Sequence, residues 1–69
     1  MKSYKAKEVV SILKRDGWYL TKTTGSHHHF KHPTKPGKVT VPYRTESEDI
    51  KIATLKSILK QAMIDLKEV

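Results

Sequence analysis

The hydrophobic period of this chain changes twice along its length, and that change limits the possible folds more than any single residue does. Between Tyr4 and Asp16, Ala6, Val9, Val10 and Leu13 fall at i, i+3, i+4 and i+7, with Ile12 beside them, which predicts an amphipathic helix. Ser3 is its expected N-cap and Gly17 its expected left-handed stop. After Gly17 the period falls to 2. Trp18 and Leu20 alternate with Tyr19 and Thr21, the pattern of a strand with one buried face. Thr23-Thr24-Gly25-Ser26 reads as a turn, and His27 to His32 as a second strand that closes in Pro33-Thr34-Lys35-Pro36-Gly37. A third strand follows at Lys38 to Val41, with Val39 and Val41 on one face. Tyr43 to Asp49 is polar and reads as a surface loop. Leu55, Ile58, Leu59 and Ala62 then restore the helical spacing. That helix is expected to start near Ile52–Thr54 and to end near Ala62 or beyond, with Ile64 and Leu66 available to extend its packing.

The element order is therefore α-β-β-β-α. Short, closely spaced strands favour an antiparallel meander, and two apolar helix stripes need one apolar sheet face to cover. The expected fold is α+β: a three-stranded antiparallel sheet with both helices on one face and the other face open to water, the shape of a double-stranded-RNA-binding domain. All 69 residues are expected to form a single domain, 1–69. The chain holds no cysteine, so neither a disulfide nor a thiolate zinc site is available to it, as suits a reducing cytoplasm. No run approaches the ~20 apolar residues of a membrane span, and Met1 to Lys5 leads into charged sequence without an apolar leader core. An intracellular, cytoplasmic location is the expectation. Fourteen Lys+Arg against seven Asp+Glu give a net charge of +7, which attracts polyanions at long range.

Chemistry concentrates in the second strand, where His27, His28, His29 and His32 stand within six positions around Phe30 and Lys31. If Phe30 faces the core, parity puts His28 and His32 on its side and projects His27, His29 and Lys31 from the open face. Histidine both accepts and donates protons near neutral pH. Beside RNA, a neutral imidazole can take the proton of a ribose 2′-hydroxyl, which then attacks the adjacent phosphorus while nearby cations steady the phosphoryl oxygens. That chemistry requires no metal and no other cofactor. Zinc ligation is the competing use of His27 and His29, but no carboxylate is well placed to complete such a site. A structural or simply exposed role is the ordinary fate of any one of these rings. A non-catalytic RNA-binding module of the same fold is the main alternative to an enzyme, although only Tyr19 offers the open face an aromatic ring for stacking.

Several ordered motifs resemble one family. They are Leu13-Lys14-Arg15-Asp16-Gly17-Trp18, Gly25-Ser26-His27, Phe30-Lys31-His32-Pro33, Val39-Thr40-Val41-Pro42 and Thr54-Leu55-Lys56-Ser57-Ile58-Leu59-Lys60-Gln61-Ala62. In this order they resemble the HicA-type toxins of toxin–antitoxin systems, which are small mRNA interferases. The resemblance implies a double-stranded-RNA-binding-like fold, endoribonuclease activity on mRNA and a HicB-like antitoxin that neutralises it. It maps the essential histidine of the family onto His27, assigns Gly25 to close approach of backbone and phosphate, and assigns Ser26 to orienting substrate or imidazole. Lys22 and Lys31, with His29 beside them, are the candidate RNA contacts read from the residues themselves. The chain departs from the family pattern at Tyr43 and Arg44, where many relatives carry a histidine, and at Ala53 and Met63, where glycines are usual. With Met63 in place of a glycine, the second helix is expected to be free to continue past Ala62.

Overall fold

The computed structural model describes residues 4–65. In chain order its elements are β1 (Tyr4–Lys5), α1 (Ala6–Asp16), β2 (Tyr19–Thr24), β3 (His27–Lys31), β4 (Val39–Pro42), β5 (Asp49–Ile50) and α2 (Ile52–Gln61). The expected α+β architecture is present: β2, β3 and β4 form an antiparallel sheet in that order, and two helices complete the core. None of the described helices is long and apolar enough to cross a membrane.

The core follows the two periodic stripes. Ala6, Val9 and Leu13 from α1, and Leu55, Ile58, Leu59 and Ala62 from α2 and its end, are buried with Trp18, Phe30, Val39 and Val41. Val10 and Ile12 are half-buried at its margin. Gly17 ends α1 at φ +105, and a Cβ there would also stand 2.7 Å from His32 Nε2, so both backbone conformation and space require glycine.

Five expectations are corrected. Tyr4 and Lys5 do not belong to the helix, and Asp49 does not belong to a loop. They pair as a second, two-stranded antiparallel sheet, with Tyr4 opposite Ile50 and Lys5 opposite Asp49. The Lys5 ammonium lies 2.8 Å from the Asp49 carboxylate. Two residues are too few for a period to register, so this strand left no pattern to read. The N-cap is accordingly Lys5, whose N–H donates to the Glu8 carboxylate at 2.9 Å; Ser3, the expected cap, lies outside the described residues, as does Leu66.

Leu20 is the third correction. It is 49% exposed rather than buried, because β2 is a sheet edge whose six residues are all exposed. The pairing register also shifts between Leu20 and Lys22, a bulge with consequences for the site below. The strand continues through Thr23 and Thr24, so only Gly25 and Ser26 form the turn. Gly25 has φ +59 in the first central position, as a type II′ hairpin turn requires.

The fifth concerns Met63. The second helix stops at Gln61 although no glycine follows, because Met63 itself adopts φ +55. The Met63 N–H donates to Lys60 O at 3.2 Å and the Ile64 N–H to Leu59 O at 2.9 Å, the paired bonds of a Schellman end. Ile64 is thereby turned into the core. Lys35 supports the same end, donating from Nζ to Ala62 O at 3.0 Å and to Met63 O at 3.2 Å, while it also pairs with Asp16. A left-handed conformation costs an ordinary L-residue roughly 1–2 kcal/mol, part of which glycine gives back in the unfolded chain. Met63→Gly is therefore expected to stabilise the fold by about 0.5–1 kcal/mol, read as a rise of several degrees in Tm. The Met63 side chain is 55% exposed, so little packing is lost with it.

Candidate active site

Strand pairing decides which side chains share the open face, since directly opposed residues project to the same side. Two adjacent rows result. One contains Thr24, His27 and Pro42; the next contains Lys22, His29 and Thr40. On the opposite, helix-covered face His28 pairs with Thr23 and Val41, and Phe30 with Leu20 and Val39. The parity expected for His27, His28 and His29 therefore holds, while His32 lies beyond the end of β3.

Lys22 reaches the histidine row only because of the bulge. Unbroken alternation would place Lys22 on the side of Leu20, whereas the extra residue carries it across to pair with His29. Thr21, the residue left over, donates its hydroxyl to His29 O at 3.2 Å and pins the bulge. Lys31 is exposed on the same face but opposite Tyr19. Four residues beyond His27, it lies roughly 13 Å further along the strand. The candidate residues thus divide into a compact group of Lys22, His27 and His29 and a distant Lys31.

The four imidazoles have different partners. His32 is a structural residue: its Nδ1 accepts the backbone N–H of Thr34 at 3.1 Å and of Lys35 at 3.0 Å, so the other nitrogen carries the proton donated to Asp16 O at 2.6 Å. Its ring meets the Trp18 indole edge-on at 5.2 Å. His28 stacks on Tyr43, with centroids 3.7 Å apart and planes 5° from parallel, and its Nδ1 lies 3.3 Å from Val41 O. His29 Nδ1 is 3.2 Å from the Thr40 hydroxyl. Among the described residues, His27 alone of the four has no hydrogen bond to a ring nitrogen, and it is exposed.

His27 borders a groove of about 370 Å³ between the open face and the flank of α2, where Thr40 and Pro42 face Thr54, Ser57 and Gln61. The hydroxyl and amide groups of that α2 flank were not singled out from the sequence. Their signal was present, since Thr54, Ser57 and Gln61 recur at helical spacing beside the apolar stripe. Gly25 and Ser26 form the turn directly before His27. Ser26 O accepts the Tyr43 N–H at 2.9 Å, and a Cβ on Gly25 would meet nothing within 4 Å. Tyr43 itself is on the helix side, and Arg44 is exposed with its N–H on Glu48. Among the described residues, no three histidine, aspartate or glutamate side chains gather as a metal site would need.

Partial desolvation holds the His29 imidazole below its ordinary pKa, and the Lys38 and Lys22 ammonium groups, followed by His27 and His28, add to the effect. Lys38 is thereby a further cation near the site, one that parity places on this face beside Thr40. A lowered pKa in the folded state means that the unfolded chain binds this proton more readily. The contribution of His29 to stability is present above the ordinary imidazole value of about 6.5 and is lost as the pH falls through the folded value. Added salt screens the two lysines, so an NMR titration of His29 is expected to move back toward the ordinary value as salt rises.

A family model described as the HicA toxin of bacterial toxin–antitoxin systems matches residues 6–64, from the first residue of α1 to the last buried residue after α2. The chain belongs to the HicA toxin family. No curated protein matches it. Membership of the HicA family makes this domain the toxin of a toxin–antitoxin pair, with an antitoxin as its partner. The matched span includes the Gly25-Ser26-His27 turn, both rows of the open face and the α2 flank of the groove.

Proposed function

We propose that the domain is a metal-independent endoribonuclease that cleaves mRNA in the cytoplasm, with His27 as its general base. The observation that carries this reading is the contrast among the histidines: three have partners for a ring nitrogen, while His27 stands exposed beside a groove with its ring nitrogens unengaged among the described residues. The neutral imidazole of His27 accepts the proton of a ribose 2′-hydroxyl. The 2′-oxygen then bonds to the adjacent phosphorus, the bond from phosphorus to the 5′-oxygen breaks, and that oxygen leaves with a proton. The products are a 2′,3′-cyclic phosphate and a 5′-hydroxyl, and no water is consumed in this step. Lys22, one row away, and Lys38 supply positive charge for the non-bridging oxygens. Thr54, Ser57 and Gln61 offer donors and acceptors for the nucleotides on either side.

A HicB-like antitoxin would neutralise the enzyme by covering the His27 face, and an acidic surface on it would exploit the charge that attracts RNA. Association of the two is expected to slow as salt rises, measured by stopped flow. The proposal is tested by expressing the wild-type and His27→Ala chains and following growth and message integrity. Wild type is expected to arrest growth and degrade messages, and the alanine form to do neither at equal soluble level. Equal toxicity of the two would remove His27 from the mechanism. RNA retained by the wild-type chain with no cleavage under any condition would instead support the binding-module reading.

A further inference from the structure

We propose that a second groove, on the outer side of α1, binds the backbone of single-stranded RNA that continues past the histidine face; this inference rests on the ribonuclease reading above. The groove has a volume of about 500 Å³ and two walls. One is a stripe of α1 made by Lys7, Val10, Ser11, Lys14 and Arg15, at i, i+3, i+4, i+7 and i+8, with Val10 as its apolar floor. The other is the segment that carries Tyr43 and Glu46. Backbone bonds hold that wall in place: the Lys7 N–H donates to Glu46 O at 3.0 Å, and the Ala6 N–H to Glu48 O at 2.8 Å. At its other end the Tyr43 N–H donates to Ser26 O, which ties this wall to the residue directly before His27.

The chemistry of the lining is that of a site for single-stranded nucleic acid. Such sites combine cations that follow the phosphates with an aromatic ring on which a base can stack. Lys7, Lys14 and Arg15 are exposed, and among the described residues none of them is in an ion pair. Helix-dipole stabilisation accounts for cations in the last turn, where Lys14 and Arg15 lie, but it disfavours Lys7 in the first turn. Tyr43 supplies the ring. His28 stacks on one side of it and fixes its plane, and the half-buried ring borders the groove. Burial raises the Tyr43 pKa, and Glu46, the acid of this lining, adds to the effect. An acidic protein would satisfy the three cations equally well. The aromatic wall and the backbone tie from Tyr43 to the turn before His27 favour RNA.

The test uses the full chain carrying His27→Ala, so that RNA stays intact, and a fluorescein-labelled single-stranded RNA of about 12 nucleotides, followed by anisotropy across a salt series. Adding Lys14→Gln/Arg15→Gln is expected to weaken binding about tenfold at low salt. It should also make the slope of log K against log salt shallower by about 1.4, twice the ~0.7 expected per phosphate contact on a single strand. Tyr43→Leu is expected to weaken binding with the slope unchanged. Glu46→Gln, which removes only an exposed acid, is expected to tighten binding and serves as the test if the Lys14→Gln/Arg15→Gln or Tyr43→Leu variant fails to fold. If the parent binds RNA and neither affinity nor slope responds to these changes, the groove proposal is wrong while the ribonuclease reading stands. If the parent binds no RNA at all, the ribonuclease reading fails and takes the groove with it. Loss of affinity for an acidic protein alone, with RNA binding unaltered, would overturn the proposal in favour of a protein-docking surface.

Discussion

Phe30→Ala is expected to leave the chain largely unfolded at 25 °C, seen as the loss of a cooperative far-UV circular dichroism melt. Phe30 is 1% exposed, pairs with Leu20 on one side and Val39 on the other, and belongs to the one buried cluster that holds the apolar stripes of both helices. Truncating a buried phenylalanine costs about 3–5 kcal/mol. A core of this size supplies only ~3–5 kcal/mol in total, with no disulfide in reserve. The next residue provides the control: Lys31 is exposed, and Lys31→Ala should change stability by no more than about 0.5 kcal/mol.

The second large effect separates chemistry from stability. His27→Ala is expected to lower RNA cleavage by about 10²–10⁴-fold, the usual contribution of a general base, while Tm stays within a few degrees of wild type. The ring is exposed and makes no hydrogen bond to the described residues, so the fold does not depend on it. His32→Ala should do the reverse. It would leave the Asp16 carbonyl and the Lys35 N–H without their part-buried partner, at roughly 1–3 kcal/mol for each that water does not reach, while the exposed Thr34 N–H turns to solvent. Any loss of activity in that variant should follow its loss of fold. Comparing the two variants on one preparation distinguishes a histidine that acts from a histidine that holds.

Much of this arrangement was legible before any coordinates. The helical stripes of Ala6, Val9 and Leu13 and of Leu55, Ile58 and Leu59 are periodic over enough residues to place both helices, and all six side chains are buried. Parity about Phe30 placed His27 and His29 together on the open face, because register in a half-buried strand is fixed by its largest apolar side chain. Parity failed where the backbone breaks it. The bulge after Leu20 moves Lys22 to the histidine row, and no residue type there announces the extra residue. β1 and β5 leave no trace in the sequence pattern because a two-residue pairing has no period. Met63 misled in another way: a methionine predicts that a helix can continue, yet Ile64 gains burial and Lys35 gains two carbonyl acceptors when the helix stops. Tertiary contacts there outweigh the local backbone preference. The partners of the other three histidines lie 2 to 16 positions away, so the isolation of His27 could be seen only in three dimensions.

The most direct test is the chemistry of the RNA ends produced in EDTA. In-line attack by a ribose oxygen activated by His27 predicts fragments ending in a 2′,3′-cyclic phosphate and beginning with a 5′-hydroxyl, from the wild-type chain and not from His27→Ala. Fragments carrying 5′-phosphates, or the same cyclic ends at an undiminished rate from the alanine form, would contradict it.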